Sequence, residues 1–228
     1  MWNLDFVFSG APLNKLWFSK RLLISTFCLF ISIPSFAQTN PVILVFGDSL
    51  SAEYGLERNS GWVNLLQGKL QKEKSVWQVF NASISGETSA GGLTRLPQIL
   101  SQKKPGIVLL ELGANDALRG LSLTETKNNL RKMIALSKKS GAQVLLFGMR
   151  IPPNYGQQYT EAFFRLYPTL AREEKIALLP FFLDGVASKP ELFQADRLHP
   201  NEKAQNQLFQ NVWAAMKPYY PLLTEKQK

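Results

Sequence analysis

Val42-Ile43-Leu44-Val45-Phe46-Gly47-Asp48-Ser49-Leu50-Ser51 runs from five apolar residues straight into a turn that carries a hydroxyl. A short, continuous apolar run of this kind fits a parallel strand buried on both faces. Four more runs share its character: Val76–Phe80, Ile107–Leu110, Val144–Phe147 and Ala177–Leu179. Longer segments of helical period separate them. Trp62, Leu65, Leu66 and Leu70 share one helix face, with Ser60 as its expected cap. Ser122 and Glu125 have the spacing of a capping box before Leu130, Ile134 and Leu136. A closing helix is expected from Asn201 to Met216, directly after Pro200. Alternation of strand and helix implies an α/β fold, a parallel sheet with helices on both faces and right-handed crossovers. In such sheets the site lies beyond the carboxyl ends of the strands.

Those strand ends therefore define the search. They are followed by Gly47-Asp48-Ser49, by Asn81 to Thr88, by Glu111 to Asp116, by Gly148 to Gly156, and by the segment holding Asp196 and His199. His199 is the only histidine in the chain. Asp196, three positions earlier, can fix one ring nitrogen and leave the other to accept a proton. A serine hydroxyl becomes a nucleophile only when a base takes its proton, so Ser49, Asp196 and His199 are the candidate nucleophile, orienting acid and base. Asp184 is the rival acid, fifteen positions before His199. Attack on a carbonyl builds negative charge on oxygen, which calls for hydrogen-bond donors aimed there. The backbone N–H groups of Ser49 and Gly86 and the side-chain amide of Asn115 are the candidate donors. Asp48 and Asp116 are read as structural, the second as a helix cap.

Gly47-Asp48-Ser49-Leu50, the glycine of Ser85-Gly86-Glu87-Thr88, Gly113-Ala114-Asn115-Asp116 and Asp196-x-x-His199 resemble the four blocks of the SGNH (GDSL) hydrolase superfamily. Asn81 to Gly86, Glu111-Leu112-Gly113, Leu118-Arg119-Gly120 and Pro153-Asn154-Tyr155-Gly156 resemble its bacterial thioesterase I, lysophospholipase and arylesterase branch. The likeness runs from about Pro41 to the end of the final helix. Four blocks in this order are specific, whereas Gly-Asp-Ser-Leu alone is not. The resemblance implies a three-layer, flavodoxin-like α/β/α fold with five parallel strands, no cofactor and no metal. It also implies Ser49 as nucleophile, Ser49, Gly86 and Asn115 around the oxyanion, and Asp196 and His199 completing a triad. Two positions depart from the pattern: Glu53 stands where a small residue is expected, and Arg197 where glycine is expected between acid and base.

The expected function is hydrolysis of acyl esters and thioesters through an acyl-enzyme. The loop Arg150 to Gly156 is its expected acyl-chain wall, with Ile151, Pro152, Pro153 and Tyr155 as substrate-binding residues and Phe163 and Phe164 adding apolar lining. A carbohydrate acetylesterase on the same fold is the alternative, and a periplasmic small-molecule binding module is the alternative from another class. The chain has no Gly-x-Gly-x-x-Gly and no phosphate loop, and it lacks the Gly-x-Ser-x-Gly of a standard α/β-hydrolase.

The amino-terminal segment reads differently. Lys15, Lys20 and Arg21 precede the apolar run Leu22 to Phe36, and Ser35-Phe36-Ala37 closes it with small residues at its outer positions. This is the pattern of a signal peptide covering residues 1–37, cleaved near Ala37/Gln38, with a hydrolase domain over 38–228 and a periplasmic or secreted location. Cys28, the only cysteine, falls inside that segment, so disulfide and thiol chemistry are excluded after cleavage. The chain holds 26 basic and 17 acidic residues, a net charge of +9; loss of Lys15, Lys20, Arg21 and Asp5 leaves 23 and 16, or +7. The cations are scattered along helix ends, where they are favoured, and form no stripe with interleaved aromatics, so no nucleic acid is expected. The expected partners are small-molecule or lipid acyl ester and thioester substrates, with transient contact at a membrane surface. A monomer is expected.

Overall fold

In the computed structural model, residues 40–224 are described. Their five strands are β1 (Val42–Gly47), β2 (Gln78–Asn81), β3 (Ile107–Glu111), β4 (Gln143–Phe147) and β5 (Ala177–Leu179). They form one sheet in the order β2-β1-β3-β4-β5, and every neighbouring pair is parallel. The chain leaves β1 towards one edge, then crosses back to lay β3 on the other side of β1. That reversal opens a crevice at the carboxyl ends of β1 and β3, where Gly47 pairs with Glu111. The predicted signal peptide and Cys28 lie outside the described residues. No helix among the described residues is long and apolar enough to cross a membrane.

Both faces of the sheet are covered. Helices α1 (Trp62–Lys72) and α6 (Gln205–Ala215) pack together on one side; α2 (Ser89–Lys103), α4 (Leu123–Lys139) and α5 (Gln157–Glu174) form the other layer. The five-residue α3 (Ala114–Leu118) sits at the exit of β3, and α7 (Tyr220–Thr224) ends the described chain. Ile43 to Phe46 and Ile107 to Leu110 are completely buried, which is why these strands read as unbroken apolar runs. Trp62, Phe147 and Phe182 meet at centroid distances of 5.1–5.8 Å between α1 and the sheet.

Three elements differ from the sequence reading, each for a local reason. Strand β2 begins two residues later than the run Val76–Phe80. Trp77 instead gives its indole N–H to Leu222 O at 2.9 Å and Ser75 gives its hydroxyl to Leu223 O at 2.7 Å, so this stretch serves α7. Ser60 does not cap α1. Gly61 occupies that position, its N–H donating to Glu53 Oε1 at 2.8 Å, while Ser60 Oγ donates to Glu57 O. The buried face of α1 is Trp62, Val63, Leu66 and Leu70, and Leu65 is exposed. At the carboxyl end, Asn201 caps a single 3-10 turn, Glu202–Ala204, before α6 begins. Ser122 caps α4 as expected, its hydroxyl accepting the N–H of Glu125.

Candidate active site

Gly47 is where β1 must give up its side chain. A Cβ there would lie 2.4 Å from the Glu111 carboxylate, so only glycine lets the two strand ends close. The chain then turns sharply: Asp48 O accepts the N–H groups of Ser51 and Ala52, and Asp48 Oδ1 accepts that of Leu50. Ser49 is thereby presented at the mouth of the crevice.

The opposing residues come from a short hairpin closed by the antiparallel bridge Phe193 to Pro200. Within it, Gln194 N–H donates to His199 O at 2.8 Å, and Arg197 N–H to Gln194 O at 2.9 Å. His199 Nδ1 lies 2.7 Å from Asp196 Oδ2, and His199 Nε2 lies 3.0 Å from Ser49 Oγ. A carboxylate only accepts, so the ring proton sits on Nδ1 and the Nε2 lone pair faces the serine hydroxyl. Burial works against a charge on Asp196. The backbone N–H and ring of His199 and the N–H of Leu198 outweigh it and hold the carboxyl down at about 2. Asp184, the rival acid, lines a separate groove with Phe164 and Asn211.

The two departures from the family pattern occupy equivalent backbone states. Glu53 has φ 59° and Arg197 has φ 55°, the left-handed region in which a side chain costs roughly 1–2 kcal/mol. Glu53 offsets this cost by accepting the N–H groups of Asn59 at 3.0 Å and Gly61 at 2.8 Å, which staples the loop after β1.

The three candidate donors, from Ser49, Gly86 and Asn115, border the same cavity. Among the described residues, the backbone N–H groups of Ser49 and Gly86 have no hydrogen-bond partner. Gly86 is held at φ 76° while its carbonyl accepts Arg119 Nη2 at 2.9 Å. Asn115, in the first turn of α3, donates one amide proton to Asp48 Oδ2 at 3.0 Å and keeps the other. Beneath them lies a buried acidic pair. Burial pushes Asp48 up to about 6, against the pull of the Leu50 N–H, the His199 charge and the Asn115 amide. Glu111 is raised well above the carboxylate range by burial and then by the charge of Asp48, although Ser51 Oγ donates to it at 2.8 Å. Asp116 caps a helix, but not its own: it accepts the N–H and the hydroxyl of Ser89 at the start of α2.

Ser49, Gly86, Asn115 and His199 all open onto one cavity of about 360 Å³. Its apolar wall is Leu118, Met149, Ile151, Pro152, Leu183 and Leu198, and Tyr54 closes one side with its ring 4.5 Å from that of His199. The structure therefore corrects part of the expected wall. Ile151 and Pro152 line the cavity, whereas Pro153 and Tyr155 do not. They belong to a 3-10 turn that carries the chain outward into α5. Phe163 is in the core against Tyr167, and Phe164 is covered by the Arg150 guanidinium at 3.4 Å. Leu183 and Tyr54 carry no sequence signal for the cavity, because isolated apolar residues in turns have no period; Leu118 lies in the block Leu118-Arg119-Gly120, and its place in α3 with Asn115 brings it to the wall. Among the described residues, no group of three or more His, Cys, Asp or Glu side chains could hold a metal ion.

Residues 45–206 match the model of the GDSL-like lipase/acylhydrolase family. The chain is 47% identical over 198 residues to esterase TesA of Pseudomonas aeruginosa, spanning 87% of this chain and 98% of that protein. It is 46% identical over 178 residues to thioesterase 1/protease 1/lysophospholipase L1 of Escherichia coli K12, spanning 78% and 84%. A crystal structure of TesA superposes with a TM-score of 0.76 at 50% identity, covering 78% of this chain and 98% of that one. The five-stranded order, the four sequence blocks and a match that spans most of the described residues agree: the chain belongs to the GDSL-like lipase/acylhydrolase family.

Proposed function

We propose that this protein is an exported serine hydrolase of acyl esters and thioesters, periplasmic or secreted, with residues 1–37 removed and 38–228 forming the hydrolase domain. One observation carries the reading: the unbroken chain of hydrogen bonds Ser49 to His199 to Asp196 at 3.0 and 2.7 Å, facing two unpartnered N–H groups. Ser49 Oγ attacks the acyl carbonyl while His199 Nε2 takes its proton, and Asp196 stabilises the imidazolium that forms. The carbonyl oxygen becomes an oxyanion received by the N–H groups of Ser49 and Gly86 and the free amide proton of Asn115. Collapse of the tetrahedral species breaks the ester or thioester bond, and His199 returns the proton to the departing alcohol or thiol. Water repeats the sequence on the acyl-serine, with His199 as base, and releases the acid.

The substrate class follows from the wall. A cavity faced by Leu118, Ile151 and Leu183 gains roughly 0.8 kcal/mol for each methylene it buries. That supports medium or long acyl chains over acetyl groups, and so favours the acyl esterase and thioesterase reading over a carbohydrate acetylesterase. The names of the relatives, an esterase and a thioesterase/lysophospholipase, point the same way.

Turnover of p-nitrophenyl esters from acetyl to dodecanoyl tests the reading. The expected result is a kcat/KM that climbs with chain length and then levels, and that vanishes in Ser49→Ala with folding unchanged. Full activity in Ser49→Ala would exclude the nucleophile. A maximum at acetyl would exclude the long-acyl assignment.

A further inference from the structure

Two segments must be held in register for Ser49 and His199 to meet: the loop 48–61 after β1 and the hairpin closed by Phe193 and Pro200. Among the described residues, two hydrogen bonds join them. One is the Ser49–His199 contact itself, at 3.0 Å. The other is the Gln194 side-chain amide, whose Nε2 donates to Tyr54 O at 2.8 Å. A hydroxyl that gives up its proton during the reaction cannot also serve as the clamp. The second bond is left to fix the distance.

Gln194 is tied to the base through its own backbone. Its N–H donates to His199 O at 2.8 Å, and its carbonyl accepts the Arg197 N–H at 2.9 Å. Nε2 also donates to Pro200 O at 3.2 Å. The amide head lies against Gly55, where any Cβ would collide with Gln194 Oε1, so glycine there makes room for the clamp. The acceptor is held as well. Tyr54 follows Glu53, whose carboxylate accepts the N–H groups of Asn59 at 3.0 Å and Gly61 at 2.8 Å and so ties the loop to the start of α1. The bonds run in series, from the start of α1 through Glu53 and the Tyr54 carbonyl to Gln194 and on to the backbone of His199. Glu53 is one of the two departures from the family pattern, so this anchor belongs to the present chain.

We propose that Gln194 is a positioning residue which, with Glu53 as its anchor, sets the distance between Ser49 Oγ and His199 Nε2. It does not line the cavity and so acts without touching substrate. The inference rests on the serine hydrolase reading for the roles of those two atoms. A displacement of about 1 Å between reacting groups can cost on the order of 10²-fold in rate, so slack between the two segments shows in kcat and not in KM.

Gln194→Met keeps the length of the side chain and removes both amide protons. Expected is a kcat for p-nitrophenyl octanoate lower by about tenfold or more, with KM within about twofold. Labelling of Ser49 by a fluorophosphonate separates position from folding: the variant should still take up one label per chain, but more slowly, in proportion to its kcat. Glu53→Gly removes the staple and leaves a backbone that keeps its left-handed turn without strain, which keeps the proposal testable should Gln194→Met not fold. It should lower kcat severalfold, and Glu53→Gln, which keeps an oxygen for the Gly61 N–H, should restore most of the rate. Added to Gln194→Met, Glu53→Gly should cost little more, because both act on one series of bonds. An unchanged kcat in either variant, a rise in KM alone, fewer labels taken up at the wild-type rate, or losses that multiply in the double variant overturns the proposal. Should the wild type neither turn over ester nor take up label, the hydrolase reading fails, and the clamp is read from His199 alone. Its ring signals in nuclear magnetic resonance are the only histidine signals of the chain. They should shift in Gln194→Met, and unshifted signals would overturn the clamp as well.

Discussion

In the proposed mechanism Asn115 divides its two amide protons between structure and chemistry. One is fixed on Asp48 Oδ2 at 3.0 Å. That bond sets the amide plane and leaves the second proton towards the cavity beside Ser49 and Gly86. Asp48 can hold the amide because it is itself held, by the Leu50 N–H and by its backbone contact with Glu111. As the proposed oxyanion donor, the amide is thus oriented before substrate arrives, which is what makes such a group effective. Asn115→Ala should therefore lower kcat by about 10²–10³-fold, the usual cost of one lost oxyanion donor, with KM nearly unchanged. Steady-state kinetics on a medium-chain p-nitrophenyl ester measure the split; a rise in KM at constant kcat would make Asn115 a ground-state contact instead.

At the scale of elements, a single carboxylate joins three helices. Asp116 sits in α3, accepts the Ser89 N–H and hydroxyl of α2 at 2.8 and 2.5 Å, and accepts Thr126 Oγ1 of α4 at 3.2 Å. It is buried, so each acceptor position it offers matters. Asp116→Asn would turn one acceptor oxygen into an NH₂ group facing donors it cannot satisfy, at a cost of about 1–3 kcal/mol. Thermal melting should show a loss of about 2–4 °C per kcal/mol, with activity falling as α3 and Asn115 loosen; an unchanged melting temperature would mean the junction is not holding α3. The strands were legible in the sequence because two-sided burial forces unbroken apolar runs, and β2 slipped only where Trp77 was diverted to α7. Ser49 and His199 were legible as types, one at a strand tip and one the sole imidazole, and the structure brings them within 3.0 Å. The wall was legible only in part. Pro153 and Tyr155 look like Ile151 and Pro152 in sequence, yet one 3-10 turn sends them outward. Nothing local in the sequence ties Leu183 to the cavity, because what places it there is the way the loops fold together.

For the whole molecule, stability must come from packing, since residues 38–228 contain no cysteine. Around the candidate site an exposed carboxyl and a buried pair respond to pH in opposite senses. Asp196 is held down at about 2, so the stability it contributes is present above the ordinary carboxylate range and is lost as pH falls from about 4 towards 2. It is two-fifths exposed, and solvent screening keeps that contribution small. Asp48, pushed up to about 6, and Glu111, raised well above its ordinary value, act the other way. Above pH 4 the unfolded chain has released protons that these buried groups still hold, so stability falls as pH rises through the raised values. Stability should accordingly peak on the mildly acidic side, and the melting temperature should fall between pH 5 and pH 8. Glu111→Gln removes one of the two ionisations while keeping an oxygen to accept the Asp48 N–H and the Ser51 hydroxyl. Its melting temperature should fall less over the same interval. Melting curves of both proteins at pH 5 and 8 measure the difference. A wild-type melting temperature that is flat or rising, or an equal fall in Glu111→Gln, would mean that the buried pair does not set the pH dependence of the fold.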